Sequence, residues 1–151
     1  MAKLSAEVDI KASVDDILGV LADMPQYPLW SSVHKRAKID QDHPDGRPQR
    51  ATMAVSAVGL VDEQVLDYVW NDHGMAWTLV KAGQQSLQIG SYVITEGPNG
   101  SSHVRYDLEI NPSIPMPGII VRQVMKKAVT AATQGLKKRV ESLDELTGPA
   151  E

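Results

Sequence analysis

The chain has 151 residues, 42% of them hydrophobic and 23% charged, with a formal net charge of −4 and no cysteine. These totals describe one ordinary globular domain with enough apolar residues for a real core. They exclude disulfides, thiolate chemistry and cysteine-ligated metals, and the acidic balance argues against a nucleic-acid partner. No stretch approaches the ~18 apolar residues of a membrane span. Glu7, Asp9 and Lys11 interrupt the segment where a secretory leader would need an apolar run, so a cytoplasmic protein is expected.

In chain order, Leu4, Ala6, Val8 and Ile10 alternate as a first strand over 3–11. Ser13-Val-Asp-Asp16 is a relative of the capping box and opens a helix whose apolar face is Ile17, Leu18 and Leu21. It ends near Met24-Pro25. Gln26 to Trp30 is a second short helical or turn segment, and 33–39 reads as a strand. Residues 40–48 hold a loop dense in turn formers. Strand-like runs follow at hairpin spacing near 49–58, 61–71, 75–82, 86–96 and 102–111. In the last of these, Val104, Tyr106, Leu108 and Ile110 alternate with Arg105, Asp107 and Glu109, giving one apolar and one charged face.

Asn111 to Gly118 carries three prolines, each removing a donor and restricting the residue before it, so this bend continues neither strand nor helix. From about 119 to 143 the pattern is helical, roughly 38 Å long at 1.5 Å per residue. Val121, Val124, Met125, Ala128, Ala132, Gly135, Leu136 and Leu143 share one side. Arg122, Lys126, Lys127, Lys137 and Lys138 share the other. The middle of the apolar side is small. Gly135 costs about 1 kcal/mol relative to Ala inside a helix, which calls for either close approach of the sheet or a cavity. Strands and helices segregated in this way predict an α+β domain: a curved antiparallel sheet of about seven strands around a long C-terminal helix, with two short helices after the first strand. The domain spans 1–146, and 147–151 is a short tail.

Asp23-Met-Pro-Gln-Tyr-Pro-Leu-Trp30, Met75-Ala-Trp-Thr-Leu79, Gly90-Ser-Tyr92, Arg105 to Ile110 and the Pro-Met-Pro-Gly118 bend occur in an order that resembles the START-like helix-grip superfamily (SRPBCC), which includes polyketide cyclase/dehydrase and lipid-transport proteins. The resemblance spans nearly the whole chain. It implies a hydrophobic cavity for lipids, polyketides, sterols or quinones, with catalysis in some members and binding alone in many.

Alternation assigns the inward residues of that cavity. They are Tyr106 and Leu108 with Val104 and Ile110; Ile89 and Ser91 with Leu87 and Val93; Trp77 and Leu79; Leu66, Tyr68 and Trp70; and Met53 with Val55. Over 64–70, Val65 and Val69 compete for the inner face. Val121, Met125, Ala128 and Ala132 face the sheet from the helix, and Trp30 is placed at the mouth. Each of these positions also suits plain core packing; the pocket reading rests on the set.

Candidates for chemistry are few. His34, near the mouth, suits a general base near neutral pH, against the alternative of an exposed strand histidine beside Lys35 and Arg36. Tyr68, Tyr92 and Tyr106 suit hydrogen bonds to a ligand carbonyl. Asp62 and Glu63, being adjacent on a strand, face opposite ways and share no site. The four histidines lack ligand spacing, Pro44 breaks the Asp40, Asp42, Asp45 series, and no phosphate loop or nucleophile elbow occurs. No metal and no cofactor is expected.

Three functions follow. One is a binding protein for a hydrophobic small molecule; a second is a polyketide cyclase/dehydrase acting on a poly-keto chain in the cavity. The third is an interaction or toxin-like protein whose basic outer helix face contacts RNA, anionic lipid or a protein partner. No catalytic residue is assigned, and monomer and homodimer both remain open.

Overall fold

The computed structural model describes residues 2–147; of the expected tail, 148–151 lie outside the described residues. Strand β1 (Ala2–Ile10) leads into helix α1 (Val14–Ala22), a 3₁₀ turn (Met24–Gln26) and the single-turn helix α2 (Tyr27–Trp30). Six strands follow: β2 (His34–Asp42), β3 (Pro48–Ala57), β4 (Leu60–Asn71), β5 (Gly74–Ala82), β6 (Gln85–Glu96) and β7 (Ser102–Pro112). The chain closes with α3 (Gly118–Thr130), a π-helical turn (Ala131–Gly135) and α4 (Leu136–Thr147). This is the expected α+β helix-grip fold.

The seven strands form one antiparallel sheet in the order β1-β7-β6-β5-β4-β3-β2. Consecutive strands pair as hairpins from β2 to β7, and β1 closes the far edge against β7 in unbroken register from Ala2↔Ile110 to Ile10↔Ser102. The Ser13 hydroxyl accepts the Asp16 N–H at 3.1 Å, so the expected cap is present. The loop between β2 and β3 is shorter than composition suggests, because β2 runs on to Asp42.

Burial on β7 follows its alternation: Val104, Tyr106, Leu108 and Ile110 are all buried. Pairing carries that parity across the sheet, since Ile94 opposes Val104, Tyr92 opposes Tyr106 and Gly90 opposes Leu108. The assignment of Leu87, Ile89, Ser91 and Val93 to the inner face of β6 is therefore wrong. Ile89 is 45% and Val93 49% exposed on the outer face. The true inner set is Gln88, Gly90, Tyr92 and Ile94. On β4 the competition falls to Leu66 and Tyr68, which are buried, while Val69 is 63% exposed.

The long helix is not uniform. At the π turn Ala131, Ala132 and Thr133 are all buried in sequence, a wider buried arc than the single stripe of a helix packed on one side. The Thr133 hydroxyl donates to the Val129 carbonyl at 2.8 Å, and the Tyr92 hydroxyl rises from the sheet to donate to the Ala132 carbonyl at 2.8 Å. Side chains thus satisfy backbone acceptors where the regular ladder is interrupted. Gly135 is explained by a close approach, though not of the sheet. A Cβ there would lie 2.6 Å from the Trp30 carbonyl oxygen, so only glycine lets α2 seat against the helix.

Candidate functional site

Between the concave face and the helix lies a cavity of about 110 Å³. Natural cores leave few voids larger than a water molecule, so this volume is a feature of the fold. Its floor is aromatic. Trp77 sits at ring-centroid distances of 6.0 Å from Tyr68, 6.0 Å from Tyr92 and 5.7 Å from Tyr106, and Tyr92 meets Tyr106 edge-on at 4.9 Å. Its roof is Val124, Met125, Ala128 and Ala132 of the helix; Leu66, Met75, Leu108 and Ile110 contribute apolar wall. Among the described residues no Asp, Glu, Lys or Arg lines it.

One end of the cavity is a closed amide network. The Trp77 indole N–H donates to Gln88 Oε1 at 2.8 Å. The Gln88 amide nitrogen donates to Gln64 Oε1 at 3.2 Å and to Gln85 Oε1 at 2.9 Å. Gln64 in turn donates to Asp62 at 3.5 Å, and one Asp62 oxygen also accepts the Gly83 and Gln84 N–H groups at 2.9 and 3.1 Å. Gln64 and Gln88 are both buried, and their mutual bonds make that burial tolerable. A smaller recess of about 60 Å³ adjoins this end, bounded by Leu60, Asp62, Pro112, Met116 and Val121.

The opposite end is built by α2 and the start of β2. Tyr27 stands edge-on to both Trp30, at 5.0 Å, and His34, at 5.2 Å, and its hydroxyl is committed to the Leu21 carbonyl at 2.6 Å. Ser31 Oγ and His34 Nδ1 are 2.6 Å apart, the tautomer deciding which donates. His34 is thus a wall residue, contrary to the exposed strand position that its basic neighbours suggest. Burial holds its imidazole down at about 4, so it is neutral near pH 7. The Tyr27, Tyr68, Tyr92 and Tyr106 phenols are all pushed upward by burial and stay protonated.

Of the residues expected in the cavity, Trp30, Leu66, Tyr68, Trp77, Tyr106, Leu108, Met125, Ala128 and Ala132 line it. Met53 is fully buried in packed core. Trp70 lies beyond the site, its indole N–H on the Pro48 carbonyl at 2.7 Å and its ring under the Arg47 guanidinium at 5.6 Å. Leu79 packs against the core and Val121 borders the smaller recess. Ile89 and Ser91 miss the cavity altogether, because their parity is the outer one. Sequence reading missed Tyr27, Ser31, Gln64, Gln85 and Gln88 as wall residues. Tyr92 lines the wall too, but its hydroxyl is already spent on the helix.

The neutral imidazole sets a pH dependence. The unfolded chain takes a proton on His34 near 6.5, whereas the folded protein resists it down to about 4. Between those values the unfolded state binds more protons, so stability falls as pH drops through the window. Replacing His34 with Gln is expected to flatten the stability profile between pH 7 and 4.5 by about 2 kcal/mol. Urea denaturation of both proteins checks this; parallel profiles would show that the ring is not held neutral.

A family model described as polyketide cyclase / dehydrase and lipid transport matches residues 1–141. No curated protein matches the sequence. Among solved structures, a START superfamily protein from Mycobacterium smegmatis is 22% identical with a TM-score of 0.84, over 93% of this chain and 98% of that one. The Zhui aromatase/cyclase from a Streptomyces species is 11% identical with a TM-score of 0.86, over 99% of each chain. At such identities the likeness is one of fold.

Proposed function

The chain belongs to the polyketide cyclase/dehydrase and lipid-transport family, and from that premise we propose that it binds a hydrophobic small molecule between the sheet and the C-terminal helix. The observation that carries the reading is the uncharged, aromatic-floored cavity between the sheet and the helix. A cavity of ~150 Å³ holds a benzene ring, while pockets for drug-sized ligands run to ~300 Å³ and above. The volume of about 110 Å³ therefore suits about one ring.

Two other readings have less support. A cyclase needs a base beside an enolisable carbon, and His34 is the only imidazole, carboxylate or amine among the described lining residues. Held at about 4, it is a weak proton acceptor at neutral pH. That favours retention of a ligand over turnover. The basic outer helix face is thinned by Lys137, whose ammonium is tied to the Asp9 carbonyl at 2.6 Å and to Glu141 at 2.9 Å. This weakens the case for an RNA or anionic-lipid surface there.

Native mass spectrometry of protein purified gently from its own host is expected to show a neutral, apolar adduct released on denaturation. A ligand-free mass, together with no binding of the neutral one-ring probe ethylbenzene in an NMR titration, would overturn the binding reading.

A further inference from the structure

The two ends of the cavity differ in what they leave unsatisfied. At the glutamine end the Trp77 indole N–H and the Gln64 and Gln88 amides are engaged with one another and with Asp62 and Gln85. At the α2 end the hydroxyls of Tyr68 and Tyr106 and the free nitrogen of His34 have no hydrogen-bond partner among the described residues. Nor are they sealed in, as the unpartnered Trp30 indole N–H is. Tyr27 ties these free groups into one cluster: its ring meets His34 at 5.2 Å, and Tyr68 and Tyr106 lie close enough to it to interact electrostatically. Buried polar atoms are ordinarily paired. Three that face the same cavity without partners are therefore a polar subsite waiting for a ligand atom.

The charge inventory limits what that atom belongs to. A carboxylate or phosphate would enter a wall with no Lys or Arg to meet it and with a neutral histidine, leaving a buried charge without a counter-charge. An ammonium would find no carboxylate. A carbonyl or hydroxyl oxygen is matched, since tyrosine hydroxyls donate and accept and the imidazole does one or the other. The ring cluster of Trp77, Tyr92 and Tyr106 below offers offset and edge-on contacts to a flat molecule.

Resting on the binding reading above, we infer that the cavity selects a neutral ring-bearing ketone, quinone or phenol, held by its oxygen at Tyr68, Tyr106 and His34, and rejects carboxylate and phosphate amphiphiles. Three one-ring probes separate the terms: acetophenone carries the oxygen, ethylbenzene replaces it with apolar bulk, and benzoate replaces it with a charge. Dissociation constants at pH 7 come from NMR titration of the tryptophan indole N–H signals. Benzoate is expected to bind at least about a hundredfold more weakly than acetophenone. Tyr106→Phe removes one hydroxyl that no protein group uses, so it is expected to leave the melting temperature unchanged. It should weaken acetophenone about tenfold while leaving ethylbenzene within twofold. Tyr68→Phe provides the same comparison should Tyr106→Phe fail to fold.

Equal effects of the variant on acetophenone and ethylbenzene would overturn the oxygen subsite while leaving the cavity reading intact. Benzoate binding as tightly as acetophenone would overturn the neutral selection. Failure of all three probes would remove the binding reading and this inference together.

Discussion

Ala128→Phe is expected to abolish uptake of an apolar ligand and leave a cooperatively folded protein that is slightly more stable. Ala128 sits on the inner face of α3 and lines the cavity, so a phenyl group there projects into empty volume rather than into packed atoms. A cavity of about 110 Å³ is close to one ring, and Phe fills it better than the larger Trp would. Filling the void buries apolar surface at about 25 cal/mol per Å², so a gain of about 1 kcal/mol, or about 3 °C in melting temperature, is expected. NMR titration with ethylbenzene and thermal denaturation by circular dichroism report the two halves of the result. Val69→Phe, on the outer face, is the control and should change neither. Loss of cooperative unfolding in Ala128→Phe would mean that α3 is close-packed at this point. Retained uptake would place the ligand elsewhere.

Where one driving force dominates, residue order was enough to give the structure. On β7 hydrophobic burial alone decides the face, so Val104, Tyr106, Leu108 and Ile110 are read correctly from their alternation. On β6 the same rule fails, because the larger apolar residues Leu87, Ile89 and Val93 lie outside while Gln88 and Gly90 lie inside. Those two inner positions serve Trp77: one accepts its indole N–H and the other makes room for its ring. A clue was available, since a buried indole N–H seeks an acceptor, and Gln64 and Gln88 occupy the strands flanking Trp77. The place of His34 in the wall goes with the docking of α2 against the helix, a tertiary contact with no local signature beyond Gly135. The breaks in pattern collect around the cavity, where local preference yields to the site.

Gly90→Ala is the substitution with the largest expected cost in stability. Gly90 lies on the inner face of β6, paired with Trp77 on β5 and Leu108 on β7. A Cβ there would fall 2.0 Å from Trp77 Cζ2, 2.2 Å from Cε2 and 2.7 Å from Nε1. The indole therefore lies directly over the glycine. It cannot yield by bending a flexible tip, because the contacted atoms belong to the rigid ring. The ring must tilt away, and its N–H, now bonded to Gln88 at 2.8 Å, loses its acceptor inside the core. Overpacking costs ~1–3 kcal/mol and a buried unmade hydrogen bond a further ~1–3 kcal/mol, so about 4 kcal/mol is expected. Trp77 also floors the cavity between Tyr68, Tyr92 and Tyr106, so the tilt should disturb ligand uptake even in the fraction that remains folded. Denaturant unfolding at pH 7, followed by tryptophan fluorescence, checks the first effect, and probe uptake below the transition checks the second. Adding Trp77→Leu should relieve the clash, because it removes the ring that the new methyl meets, while Gln88 Oε1 stays without its donor. The double variant should still bind the probe poorly, which would separate the glycine's service to the fold from the indole's service to the site.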